Sequence, residues 1–270
     1  MKFDICLEMV HTGLPYDKRI QKIAEAGFDC VEFWFHDNTF DGTTCTADQP
    51  KDAQTLREVC EQCGVTINNM VVNSPDGIVG GVIVDSRELN KYIDRLHEVI
   101  AFSRKAGIGK AITCTGNMVD GLSRSQMRSN LMKAYSEAAA IAEKENYTLY
   151  IEVLNSYVDH PGYYLDNWNE GVEIVKEINS PNLKLLYDIY HMQIMHGNVI
   201  ATVQRDIDVI GHFHSAGVPG RHDLNIGELD YRQIIDSIGK AGYKGSFGLE
   251  YSPAGCSDAS LKSMREYLSM

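Results

Sequence analysis

Short runs of apolar residues alternate along the chain with longer segments whose apolar positions recur at helical spacing. This alternation is typical of βα units built around a parallel sheet. Eight runs predict strands: Phe3–Met9, Cys30–Phe35, Thr66–Val72, Lys110–Thr113, Thr148–Leu154, Lys184–Ile189, Gly211–Ser215 and Ser246–Glu250. Eight segments predict helices: Pro15–Ala26, Pro50–Cys63, Arg87–Ala106, Ser123–Asn146, Asp166–Ile178, Asn198–Asp208, Asp230–Ala241 and Ser257–Leu268.

Several predicted helices are followed by a glycine and then by a buried strand, as at Gly27, Gly107 and Gly242. The repeated unit favours one α/β domain, a single (β/α)8 TIM barrel spanning residues 1–270. A doubly wound open sheet is the alternative, but it requires a glycine-rich phosphate loop after the first strand, and residues 10–15 do not form one.

The chain has 270 residues, of which 44% are hydrophobic, and this size is normal for one α/β barrel. Its formal net charge is −12, which argues against a broad nucleic-acid-binding surface. A cluster of carboxylates in a cleft would instead attract a divalent cation. The expected partner is therefore a small molecule, with no nucleic acid and no membrane, and a homo-oligomer is possible.

Seven cysteines, an odd number, and a beginning at Met1 without a signal-peptide core lead us to expect a reduced, cytoplasmic protein. No apolar run approaches the roughly 20 residues that a membrane span needs. The pair Cys60 and Cys63 lies on a predicted helix without a partner pair elsewhere, and we interpret it as two ordinary thiols.

Four polar residues stand at or near the ends of the last four predicted strands: Glu152, Asp188, His214 and Glu250. Charged residues inside apolar strands are costly unless they are paired or bind a metal. The alternative for each one alone is an ion-paired strand end. Together they predict a metal site, and three carboxylates with one imidazole suit Mg²⁺ or Mn²⁺ better than structural Zn²⁺.

Glu152 and Glu250 also form the natural pair for proton transfer. A metal would polarise an α-hydroxy carbonyl and stabilise an enediolate, while one glutamate removes a proton and the other returns it.

Two basic residues are candidate substrate-binding groups. His191 lies three residues after Asp188, and Arg221 lies in the loop after the seventh predicted strand, where its guanidinium could bind a carboxylate or hydroxyl oxygens. The alternative for Arg221 is a loop ion pair with Asp223 or Glu228. His212 shares a strand face with His214 and could either support it or belong to the core.

At these residues the sequence resembles the hydroxypyruvate isomerase family of the xylose isomerase-like barrel superfamily. The most specific phrases are Tyr-Asp-Ile-Tyr-His-Met-Gln at 187–193 and Pro-Gly-Arg-His at 219–222. The resemblance implies interconversion of hydroxypyruvate and tartronate semialdehyde, or of related 2-oxo acids. It also implies that the catalytic glutamates are Glu152 and Glu250 and that the four residues above are the metal ligands.

The chain departs from that family pattern in ways that resemble the D-tagatose/D-psicose 3-epimerases. Glu152 is followed by Val-Leu-Asn rather than proline, and His214 stands where the isomerases often have glutamine. The epimerases' glutamate after the asparagine is absent, since Val158 stands there, and Ser252 replaces a lysine that is frequent in the isomerases. A ketose 3-epimerase is therefore an alternative function.

Two more distant alternatives belong to other classes of protein. One is a metal-dependent endonuclease, because the superfamily includes DNA-repair enzymes, although the net charge of −12 argues against it. The other is a barrel that binds sugar without catalysis.

Overall fold

Eight parallel strands close into a barrel in the computed structural model, which describes residues 1–40, 44–46 and 50–269. The prediction of a (β/α)8 TIM barrel is confirmed. The barrel strands are β1 Lys2–Cys6, β2 Cys30–Phe33, β5 Thr66–Val71, β6 Lys110–Thr113, β7 Thr148–Glu152, β8 Leu183–Asp188, β9 Ile210–Ser215 and β10 Ser246–Leu249. Around the barrel, their order is β1-β10-β9-β8-β7-β6-β5-β2.

Helices connect the barrel strands. Each helix that was predicted from the sequence begins and ends within a few residues of its predicted position. They are α1 Tyr16–Glu25, α2 Ala53–Cys63, α3 Leu89–Ala106, α4 Arg124–Glu145, α5 Trp168–Ile178, α6 Ile189–Met195, α7 Val199–Asp206, α8 Tyr231–Lys240 and α9 Ser257–Leu268. A short 3₁₀ helix, Ser86–Glu88, precedes α3. Among these helices, none is long and apolar enough to cross a membrane.

Local capping interactions explain where helix α4 begins and ends. The Ser123 side chain accepts from the backbone of Gln126, whose side chain in turn accepts from the Ser123 backbone, and this capping box starts α4. Asn146 ends the same helix in the left-handed conformation, at φ 50°. Such a residue allows its own N–H to close the last turn, so the chain can enter β7 directly.

Three elements were not predicted from the sequence. β3, Thr39–Phe40, and β4, Cys45–Thr46, form a small antiparallel pair outside the barrel, and they are too short to give a periodic signal. The third element is α6, whose first residue, Ile189, was the last residue of the predicted strand Lys184–Ile189. Asp188 ends that strand because its side chain accepts from the backbone N–H groups of Tyr190 and His191, which makes it the cap of α6.

The core lies in two places. A large apolar cluster fills the space between the barrel and its helices. A smaller cluster of Phe35, Val71, Ile112, Tyr150 and Leu186 is separate from it. Since side chains alternate along a strand, Tyr150 and Glu152 face the same side of β7, and Leu186 and Asp188 the same side of β8. The interior apolar layer therefore supports the polar residues at the strand ends.

Candidate active site

The structure brings the four predicted metal ligands together at one end of the barrel. Glu152 and Asp188 are the last residues of β7 and β8, His214 lies near the end of β9, and Glu250 follows β10 directly. One donor atom from each residue lies within 4.8 Å of those of the other three, and all four residues are buried. This is the face on which barrel enzymes carry their active sites.

His214 stands between the two glutamates. Its Nδ1 atom is 3.4 Å from Oε1 of Glu152 and 3.4 Å from Oε2 of Glu250. Neither ring nitrogen of His214 makes a hydrogen bond of good geometry within the described chain. Buried polar atoms are normally satisfied, so an open imidazole nitrogen facing carboxylate oxygens is a position where a cation fits.

The electrostatics of the carboxylates are uneven. Burial raises the pKa of Asp188 to about 7 and also raises the pKa of Glu152. Burial acts in the same direction on Glu250, but Arg221 and then His214 outweigh it and lower the pKa of Glu250 to about 2. Three carboxylates and an imidazole at this spacing fit a divalent cation, because hard cations favour oxygen donors and a cation offsets the mutual repulsion of the carboxylates.

Both oxygens of the Glu250 carboxylate accept hydrogen bonds. The indole Nε1 of Trp34 donates to Oε1 at 2.8 Å, and Nη2 of Arg221 donates to Oε2 at 2.5 Å. No pattern in the sequence indicated this bond between Trp34 and Glu250. The expected alternative for Arg221 was a pair with Asp223 or Glu228, and the structure shows its ion pair with Glu250 instead.

The Arg221 side chain packs against Tyr190. Gly220 and Arg221 both have positive φ, 95° and 56°. The guanidinium carbon lies 5.4 Å from the ring centroid of Tyr190, within the range of a cation–π contact. The guanidinium therefore lies between the aromatic ring and the Glu250 carboxylate.

His191 is fully buried, and its hydrogen bonds define its tautomer. Its Nδ1 atom accepts from the backbone N–H of Asn155 at 3.3 Å and lies 2.6 Å from the side-chain nitrogen of the same residue. Because Nδ1 accepts a hydrogen bond, the contacts place the ring proton on Nε2, and burial lowers the pKa of His191, which favours the neutral ring. Nε2 has no hydrogen-bond partner of good geometry among the described residues, and His191 lines the cavity.

A carboxylate in the loop after β7 connects this histidine to the arginine. Oδ2 of Asp159 accepts from Asn155 at 2.6 Å and from the Tyr190 hydroxyl at 2.9 Å. Asn155 contacts His191, and Tyr190 lies against Arg221. The two predicted substrate-binding residues therefore share one supporting side chain, which the sequence did not single out.

The cavity above these residues has a volume of about 230 Å³. Apolar side chains form one part of its wall, and the loops after β5 and β7 add Asp76 and His160. Within the described chain, Arg221 is the one lysine or arginine that lines it. The dimensions and lining suit a small polar molecule.

Further polar residues lie deeper in the barrel. Glu32 and Asp4 are buried in β2 and β1, and both contact His212. His212 packs beneath His214, with ring centroids 5.0 Å apart. The residues at 4 and 32 were missed, although they carry the same signal as the four ligands, a charged residue inside an apolar strand.

Comparison with known proteins agrees with this architecture. The family model described as xylose isomerase-like TIM barrel matches residues 20–267. The chain belongs to this family. A hydroxypyruvate isomerase of Escherichia coli (strain K12) is 29% identical over 99% of both chains. A 2-oxo-tetronate isomerase of Haemophilus influenzae is 26% identical over 94% of both. Relatives named as isomerases over nearly the whole chain support the prediction of an isomerase enzyme.

Solved structures extend the comparison. An AP endonuclease of family 2 from Brucella melitensis has a TM-score of 0.87, with 26% identity and 98% coverage of both chains. A D-psicose 3-epimerase from Clostridium cellulolyticum H10 has a TM-score of 0.75 at 19% identity, over 97% of this chain and 89% of that one. At that identity, the likeness to the epimerase shows the shared fold alone.

Proposed function

We propose that the chain is a metal-dependent isomerase of a small α-hydroxy carbonyl compound, similar to hydroxypyruvate isomerase. Glu152, Asp188, His214 and Glu250 would hold Mg²⁺ or Mn²⁺. The supporting observation is the convergence of four buried donor atoms within 4.8 Å at the carboxyl ends of consecutive strands. When bound, the cation would polarise the substrate oxygens and offset the charge of the carboxylates.

The chain's own residues would perform the proton transfer. One of Glu152 and Glu250 removes the proton from the carbon that carries the hydroxyl group, and the other delivers a proton to the neighbouring carbonyl carbon. The hydroxyl proton is transferred to the former carbonyl oxygen, so that the hydroxyl and carbonyl groups exchange places. Trp34 and Arg221 hold both oxygens of Glu250 and so fix its direction. The Nε2–H group of His191 is placed to donate to a substrate oxygen.

Two observations support a 2-oxo acid as the substrate: the positive charge of Arg221 and the names of the full-length relatives. A 2-oxo acid carries a carboxylate, and Arg221 is a cation in the cavity wall that can bind one. The full-length relatives named hydroxypyruvate isomerase and 2-oxo-tetronate isomerase favour the same class. A cytoplasmic location and a homo-oligomeric state stay predictions.

A ketose 3-epimerase is the second candidate, favoured by His214 among the ligands and by Asn155 after β7. The same two glutamates would then act on carbon 3 of the sugar. An endonuclease is less favoured, because the net charge of −12 opposes approach to a phosphate backbone. Cleavage of abasic DNA at physiological salt would establish that function instead.

Deuterium exchange from solvent tests the proposal. The Mn²⁺-loaded chain is incubated in D₂O with hydroxypyruvate, 2-oxo-tetronate, D-tagatose or D-psicose, and the carbon that acquires deuterium is identified by NMR. We expect exchange on the hydroxyl-bearing carbon of a 2-oxo acid, and exchange at carbon 3 of a ketose would favour the epimerase.

Glutamine variants give the matched comparison. Glu152→Gln and Glu250→Gln should each slow exchange by about 10²-fold or more, since general acid–base groups contribute roughly 10²–10⁴-fold. Glu137→Gln, an exposed residue of α4, is the control and should exchange at the rate of the unsubstituted chain. Retained exchange in both site variants would contradict the mechanism.

A further inference from the structure

Glu32 is a carboxylate placed in the barrel interior below the four ligands. It lies in the middle of β2 and is 2% exposed. Its Oε2 atom accepts from Nδ2 of Asn69 at 2.7 Å and lies 2.9 Å from Nε2 of His212. Its Oε1 atom lies 3.0 Å from Nε2 of His214. One carboxylate therefore faces two histidine rings, one with each oxygen.

This arrangement gives the two nitrogens of His214 different surroundings. Nε2 faces Glu32, while Nδ1 faces Glu152 and Glu250 at 3.4 Å each. Glu32 is the nearest of the three carboxylates, and its contact with Nε2 is electrostatic rather than a hydrogen bond of good geometry. The nearer negative charge favours the tautomer with the proton on Nε2. The lone pair of Nδ1 is then directed at the position where the donor atoms of the other ligands converge.

Two neighbours keep Glu32 in place. Asn69 and His212 both contact Oε2, so the carboxylate cannot rotate without losing them. Gly248 in β10 provides the space, because a Cβ atom there would lie 2.7 Å from Oε1 of Glu32 and 2.7 Å from the His214 ring. Such a close approach of three strands requires the glycine.

We propose that Glu32 is a positioning residue of the metal site, which holds the Nε2 side of His214 so that Nδ1 is presented to the cation. The inference rests on the proposed function, since it assumes that a cation binds at His214. Carboxylate partners of ligating histidines generally fix the ring and its tautomer, and their loss typically lowers metal affinity about 10–100-fold.

The test measures Mn²⁺ affinity by isothermal titration calorimetry and by the electron paramagnetic resonance signal of free Mn²⁺. Glu32→Gln should bind Mn²⁺ about 10–100-fold more weakly than the unsubstituted chain. Asp206→Asn is the control, because Asp206 is also a buried carboxylate but lies in α7, where it accepts from Nε1 of Trp168 at 2.8 Å and pairs with Arg205. It should keep the affinity within about twofold, since among the described residues its carboxylate contacts neither Glu32 nor a proposed ligand.

Asn69→Ala provides a second variant should Glu32→Gln fail to fold. It keeps the carboxylate but removes one of its donors, and it should weaken Mn²⁺ binding several-fold. Affinity unchanged in both variants would overturn the inference, as would an equal loss in Asp206→Asn. If the unsubstituted chain binds no Mn²⁺, the proposed function fails and the inference fails with it. If the unsubstituted chain binds Mn²⁺ and the variants bind it equally well, only the inference fails.

Discussion

Replacing Gly248 by alanine tests whether the barrel interior is as closely packed as the distances indicate. The added Cβ would lie 2.7 Å from Glu32 Oε1, 2.7 Å from the His214 ring and 3.0 Å from the carbonyl oxygen of Phe213. The first two neighbours are buried side chains that hold each other, and the third is backbone. No neighbour can move away freely, so the strands or the ring must shift.

The expected cost follows from this overpacking. Adding a methyl group to a well-packed interior typically costs about 1–3 kcal/mol, which exceeds the roughly 0.5–1 kcal/mol that replacing a glycine can contribute. For a domain of this size, about 2 kcal/mol lowers the melting temperature by roughly 4–8 °C. Because the ring of His214 must move, Mn²⁺ affinity should fall as well.

The assay compares thermal and urea unfolding of the metal-free chain with that of two variants. Gly248→Ala should be destabilised by the amount above. Gly239→Ala is the control, because Gly239 lies in α8 with no atom within 4 Å of its Cβ position, and alanine there should be neutral or stabilising. Equal stability of Gly248→Ala and the unsubstituted chain would refute the reasoning about the interior.

Two further substitutions probe the surroundings of the site. Asp159→Asn should lower kcat/KM about tenfold by loosening both His191 and Arg221, whereas Asp166→Asn in the same loop should leave kcat/KM unchanged. Steady-state kinetics at saturating Mn²⁺ measure both variants. Equal effects of the two substitutions would contradict the role of Asp159 in supporting His191 and Arg221. Lys51→Met should cost about 3–5 kcal/mol, since Lys51 lies 3.0 Å from the buried carboxylate of Glu8, whose charge would lose this ion-pair partner. Urea unfolding measures this, and a cost below 1 kcal/mol would show that Glu8 finds another partner.

The sequence predicted the barrel well because its signal is repeated. Each of the eight βα units carries an apolar run and a helical period, and glycines such as Gly107 mark several helix ends. The antiparallel pair of β3 and β4 and the helix α6 gave no such signal. In α6, the apolar run continues past Asp188, and only the capping hydrogen bonds of that side chain show that the strand has ended.

The sequence predicted the four proposed metal ligands but not the residues that support them. Polar residues at strand ends are visible in the sequence, and the structure brings Glu152, Asp188, His214 and Glu250 together. Which residues support them depends on neighbours distant in the chain. Trp34 reaches Glu250 across 216 positions, a contact that no local pattern encodes.

The location of a bound cation tests the central claim most directly. Crystals grown with Mn²⁺ should give an anomalous difference peak between the donor atoms of Glu152, Asp188, His214 and Glu250, with Nδ1 of His214 among the ligands. The peak should be lost in Asp188→Ala under the same conditions. An Mn²⁺ peak elsewhere in the barrel, or none at saturating Mn²⁺, would contradict the account.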